Sequence, residues 1–226
     1  MTFINYEQKL IKYQSLFVDV PKFRYLLTQM QQVIQAYRQQ RLPNFVLAKL
    51  EVNEVDFAQL IANPQFMPGL TLLEKGDFLQ EFSRFLDDFR DFIQTKLGIW
   101  SLINGPMMDC WVQLFPDINY LELMAGNGIL SAALKQRGQS VIATDNFSWS
   151  KNSQTGQQCW TNVEVLDALS ALEKYHSQVQ VVLLAWSPDK DRSDVAILKK
   201  IRQLQPFIQF WILGEYLGAT NSTQFW

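Results

Sequence analysis

The sequence predicts an all-helical stretch over residues 1–105 followed by an α/β domain over 106–226 built on a doubly wound parallel sheet. Three observations predict it. First, short apolar runs alternate with helical patterns after residue 118, the order that a parallel sheet with right-handed crossover helices requires. Second, a tight glycine turn, Gly126-Asn127-Gly128, joins the first of these runs to its helix. Third, acids fall at matching places, Glu122 in strand one and Asp145 and Asp167 at the ends of strands two and three.

The elements follow in order. The first helix is expected over Asn5 to Phe17. Asp19 is a plausible N-cap, with Pro21 just inside a second helix that reaches about Arg41, and Leu42-Pro43-Asn44 ends it. A short helix is expected at Phe57 to Ile61, then a loop at Pro64, Pro68 and Gly69. Asp77 is expected to open the longest helix, to about Leu97, with Gly98 as its stop. Phe78, Phe82, Phe85, Phe89 and Phe92 repeat at helical spacing along it, flanked by Leu79, Leu86 and Ile93, while Glu81, Arg84, Asp88 and Asp91 face away. Such a stripe fills a bundle core or, on the sharper reading, forms a partner or dimer seam. The boundary between the two parts falls between 98 and 118, where a short helix from Met107 to Leu114 should stop because Phe115 precedes Pro116.

In the second part the strands are expected at Tyr120–Met124, Val141–Asp145, Val163–Leu166, Val179–Trp186 and Phe207–Gly214, with Pro206 ahead of the last. Helices are expected at Ile129–Gln136, stopped by Gly138, at Leu169–Tyr175, and from Ser193 or Asp194 to Leu204. The continuous apolar run of the fourth strand suits burial on both faces. Residues 146–162 form a polar stretch with little periodicity.

Composition narrows the function. Hydrophobic residues make up 48% and the formal net charge is −2, which fits a soluble globular chain with no global pull toward nucleic acid. No run approaches the ~18–20 apolar residues of a membrane span, and no charged-then-apolar leader opens the sequence. Cys110 and Cys159 lack metal-type spacing and read as free thiols, so a reducing cytoplasm is expected. The only histidine, His176, lies in what reads as a helix end, which argues against histidine-based catalysis or metal clusters. A strand–glycine turn–helix–strand unit with an acid at the second strand's tip binds a nucleoside-type ligand at the carboxyl edge of the sheet. The glycines let a backbone approach closely, and a strand-end carboxylate can accept hydrogen bonds from ribose hydroxyls or an exocyclic amine.

On these residues the chain resembles the class I S-adenosylmethionine-dependent methyltransferases, a Rossmann-like family whose first motif is acid-x-Gly-x-Gly-x-Gly. Here it stands as Glu122-Leu123-Met124-Ala125-Gly126-Asn127-Gly128, with Met124 in place of the first glycine. The resemblance covers roughly residues 98–218. It implies S-adenosylmethionine as cofactor, with Glu122 helping to hold the methionine end and Ala125, Gly126, Asn127 and Gly128 forming the turn beneath it. It implies ribose binding by Asp145, Asn146 flanking the adenine, Asp167 accepting from the adenine amine and Ala168 beside the ring. The segment after strand four, Ala185-Trp186-Ser187-Pro188-Asp189, stands where amino-methylating members carry Asn or Asp before Pro-Pro and an aromatic. Ala185 and the single proline argue against nucleic-acid amino methylation, so a small molecule or protein is the expected acceptor. Trp186, Ser187, Pro188 and Glu215 are the acceptor-pocket candidates; Trp186 reads equally as an aromatic lid and Asp189 as a solvent residue. Trp100, Ser101 and Asn104, just upstream of the first strand, are expected to close over the methionine end.

Two other readings stand beside this one. A nicotinamide-binding unit wants a third glycine where Ser131 stands. A non-catalytic module would keep the cofactor pocket, or a remnant of it, and bind a protein through the helical half. Eleven residues follow Glu215, too few for the family's closing helix and strand pair, so the fifth strand is expected to be covered by the helical half or by a second copy in a homodimer, unless the chain is a truncated product.

Overall fold

The computed structural model describes residues 6–151, 153–204 and 208–226; Asn5, Pro206 and Phe207, expected at element boundaries, lie outside them. The described residues fall into two compact units, one up to Gln35 together with Leu47–Ile93, the other Ala36–Val46 with Gln94–Trp226.

In the first unit, α1 (Tyr6–Leu16) and α2 (Pro21–Arg38) match their patterns, although Val20 rather than Asp19 precedes the first helical residue of α2. Helix α3 (Glu54–Ala62) is opened by a capping box between Asn53 and Asp56. The expected long helix differs from its pattern at both its start and its middle. It begins at Leu72, not Asp77, because Thr71 and Glu74 form a second capping box, and it divides at Asp88 into α4 (Leu72–Asp87) and α5 (Phe89–Leu97). Leu72 and Leu73 are exposed, so the first turn carries no apolar period to betray it. The phenylalanine stripe is core: Phe82, Phe85, Phe89 and Phe92 are buried, and Tyr6 stacks on Phe85 and Phe92 at ring distances of 4.4 and 4.5 Å. The Tyr6 hydroxyl donates to the Phe85 carbonyl at 2.7 Å.

The second unit is α/β. Its strands are β1 (Asn119–Leu123), β2 (Ser140–Asp145), β3 (Glu164–Val165), β4 (Val181–Ala185) and β5 (Gln209–Leu213), all parallel, in the order β3-β2-β1-β4-β5. Helices α6 (Gly105–Leu114) and α7 (Ile129–Lys135) bury Met108, Leu130 and Leu134 against Tyr120, Val141, Val181 and Leu183. Helices α8 (Ala168–Tyr175) and α9 (Ser193–Leu204) bury Leu172, Ile197 and Ile201 against Leu121, Leu123, Val182 and Leu184. Successive residues of β1 and β4 thus enter opposite cores, which is why these strands read as unbroken apolar runs. Beside β5, Trp211 packs on Trp111 and Phe115, and Phe210 on Phe225 of the C-terminal tail. No helix among the described residues is long and apolar enough to cross a membrane.

Candidate functional site

The strand order reverses between β1 and β4. The loops leaving the carboxyl ends of these two strands therefore diverge, and the crevice between them is where open α/β sheets take ligands. The backbone marks the same edge. Of the eight non-glycine residues with positive φ among those described, five follow strand ends there: Met124 after β1, Phe147 after β2, Trp186 after β4, and Leu217 and Asn221 after β5. Left-handed backbone is costly for such side chains and gathers where geometry serves function.

After β1, Gly126 and Gly128 take φ values of 55° and 67°. Gly128 occupies the N-cap of α7 and has no side chain to cap it. Glu122 supplies the missing acceptor: its Oε2 takes the Ser131 amide at 3.0 Å and the Ser131 hydroxyl. Burial pushes the Glu122 carboxyl up to about 7 against the pull of the two Ser131 donors; the Asp145 charge raises it further and Lys135 opposes. Asp145 ends β2 half-buried, its Oδ2 accepting from the Gly126 amide at 2.8 Å and its Oδ1 from the Phe147 amide at 2.6 Å. Asp167 caps α8 through the amides of Leu169 and Ser170 and the Ser170 hydroxyl, which hold its carboxyl below the usual range. Asn146 accepts from the Ser148 amide, and Ala168 opens α8.

The polar stretch after β2 folds back on the glycine turn. Asn127 is its hub: the buried amide donates to the carbonyls of Gly98 and Gln154 at 3.2 and 3.3 Å and accepts from the Gly156 amide at 2.6 Å. Trp160 donates its amide to the Asn127 carbonyl at 2.8 Å. A Cβ on Gly128 would lie 2.8 Å from Val163 Cγ2, and one on Gly126 3.2 Å from Thr155 Cγ2. Trp100 donates its indole N–H to Thr155 Oγ1 at 3.1 Å, while Asn104 is spent capping α6. Burial and then the Asp145 charge push the Cys159 thiol up.

These placements bear on S-adenosylmethionine residue by residue. Asp145 fits a ribose: each carboxylate oxygen accepts one backbone N–H and keeps a further lone pair. Gly126 fits a close approach, since only a threonine methyl stands near it. Asp167 is exposed and keeps acceptor capacity for an amine. Glu122 does not fit as a direct ligand, because it is buried beneath the turn and turned toward α7. Gly128 is filled by the chain's own Val163 and Thr161.

After β4, the half-buried Trp186 packs on the core beneath α6 and α7. Ser187 is buried, and Pro188 pairs with Thr220 of the returning tail. The Asn221 amide donates to the Ser187 carbonyl at 2.7 Å, and Ser222 donates its amide and hydroxyl to the fully buried Asp194. Glu215 accepts from the Ala219 amide at 3.3 Å, inside the tail's own turn. Sequence reasoning missed Asn127 as a hub and the whole set of Asp194, Asn221 and Ser222. An asparagine between two glycines was the one local signal; the tail's return carries none. A separate cleft of about 320 Å³ lies at the other end of α7, lined by Arg41, Asn44, Asp109 and Arg137 among others. Comparison with protein-family models, with curated proteins and with solved structures finds no match.

Proposed function

We propose that the chain is an S-adenosylmethionine-dependent methyltransferase whose acceptor is a small molecule or a protein. The observation that carries this reading is the Asp145 carboxylate standing on the Gly126 amide, beside the crevice where the strand order reverses. In this reading Asp145 holds the ribose, the Met124–Gly126 turn gives the cofactor backbone to lie against, and Asp167 takes the adenine amine. The cofactor, when bound, supplies a methyl carbon already activated by a sulfonium. What remains for the protein is alignment and water exclusion, worth on the order of 7–11 kcal/mol in favourable cases. No histidine base is then required unless the acceptor must first lose a proton.

Calorimetric titration with S-adenosylmethionine and S-adenosylhomocysteine, with NAD as control, tests the reading. Wild type is expected to bind the first two and not NAD. Asp145→Asn keeps one acceptor for the turn and loses the charge, so it should weaken both by at least tenfold. Absence of binding to a folded wild-type protein rejects the reading. A second reading, a non-catalytic module of the same fold, is favoured by the turning of Glu122 Oε2 to Ser131 and by the filling of Gly128. It predicts that absence.

A further inference from the structure

We propose that the unpartnered buried polar groups of Ser187 and Asn221 form a binding site for a neutral amide-like group, and that the methyl acceptor enters there. The second half of this statement rests on the methyltransferase reading; the first half does not.

Ser187 Oγ and both polar atoms of the Asn221 side chain have no hydrogen-bond partner, although the two residues are only 1% and 2% exposed. The side chains of the two residues flanking Asn221 are paired. Thr220 Oγ1 accepts from the Glu215 amide at 2.6 Å, and Ser222 is bound twice to Asp194. A folded chain ordinarily pairs buried polar groups, so an orphaned amide and hydroxyl on two segments joined by a backbone hydrogen bond need a reason. Asn221 has a left-handed backbone with φ of 59°, which asparagine tolerates better than other side chains. Gly214 is shaped around it: a Cβ would lie 2.8 Å from Asn221 Oδ1 and 2.6 Å from Thr220 Oγ1. Cost and accommodation at one spot, at the carboxyl end of β4, indicate a place kept for a ligand.

The chemistry of these two side chains selects that ligand. A carboxamide side chain presents N–H donors beside a carbonyl acceptor, and a serine hydroxyl turns either way. Its complement carries a donor and an acceptor side by side, as a primary amide or the edge of a heterocyclic base does. The neighbouring Asp194 accepts from the amide and hydroxyl of Ser222 and from the Val195 amide and donates nothing, which disfavours an anion. Entry requires the tail to lift from Ser187, where the Pro188–Thr220 bridge and the Asn221 amide hold it.

The test uses the whole chain, isotope-labelled, with acetamide and nicotinamide as probes and acetate as the charged control. The side-chain amide resonances of Asn221 should shift with the two amides and not with acetate. Asn221→Gly removes the orphan and frees the backbone, so its Tm should rise by about 2–4 °C. Ser187→Ala, which leaves the backbone alone, should not lower the Tm. A fall in Tm for either variant means that the groups already had partners, ordered water included, and overturns the proposal. So does the absence of any shift with the amides. Cofactor titration separates the two claims. Amide shifts without cofactor binding leave the amide site standing and reject the methyltransferase reading; cofactor binding without amide shifts does the reverse.

Discussion

Glu122 gives the sharpest physical prediction. Its carboxyl is buried beside β2, and burial lifts it from an ordinary 4.5 to about 7 although Ser131 donates two hydrogen bonds to it. Below pH 4.5 both folded and unfolded chains hold the proton. Between 4.5 and about 7 only the folded chain does, so stability falls as pH rises through this window. Above 7 both are ionised and the contribution is gone. At about 1.4 kcal/mol per pH step the loss across the window is about 3 kcal/mol. Glu122→Gln keeps an acceptor for the Ser131 amide and cannot ionise. Urea unfolding of both proteins at pH 5, 6, 7 and 8 isolates this one group, because every other titration cancels in the difference. The variant should match wild type within about 1 kcal/mol at pH 5 and exceed it by about 2–3 kcal/mol at pH 8. The carboxyl ¹³C shift of Glu122 should titrate near 7 in the same samples. A difference that stays flat with pH, or a carboxyl that titrates near 4.5, refutes the reasoning.

Further outcomes follow from the turn and its cover. Asn127→Ala removes the partner of the Gly156 amide and of the Gly98 carbonyl in a buried place, while the Gln154 carbonyl keeps the Gln157 amide, and should cost roughly 1–3 kcal/mol with faster amide exchange over 153–160. Equal exchange in variant and wild type would show that Asn127 is not the hub. Gly128→Ala and Gly138→Ala share a left-handed backbone, but only the first drives a Cβ into Val163, the second meeting nothing within 4 Å. Thermal unfolding should place Gly138→Ala about 1 kcal/mol below wild type and Gly128→Ala well below that. Asp167→Ala should cost about 1 kcal/mol through the lost cap of α8.

What the sequence disclosed were features with a local cause. The glycine turn, α7 and β2 were legible because positive φ demands glycine and buried parallel strands demand apolar runs. The phenylalanine stripe was legible because it repeats at helical period. The division at Asp88 was not, since the stripe runs through it unbroken and only the Asp88 amide, bonded to both Arg84 and Leu86 carbonyls, marks the join. The start at Leu72 was hidden for the opposite reason: Thr71 and Glu74 announce a capping box, but an exposed first turn gives no period to attach it to. At the candidate site the acids were legible as positions and not as orientations. Whether Glu122 faces a ligand or Ser131 depends on α7 having a capless glycine at its start, and a spacing rule does not carry that. The pairing of Asp194 with Ser222 joins residues with most of α9 and all of β5 between them and leaves no trace in either neighbourhood.

The central claim is that the proposed nucleoside site lies along the carboxyl ends of β1, β2 and β3, beside the point where the strand order reverses. Backbone amide shifts of the labelled protein on addition of S-adenosylhomocysteine test it most directly. The account predicts saturable shifts at residues 124–128, at Asp145 and Asn146, and at Asp167 and Ala168. Shifts confined to the cleft of Arg41 and Arg137, or none in a folded protein, would contradict it.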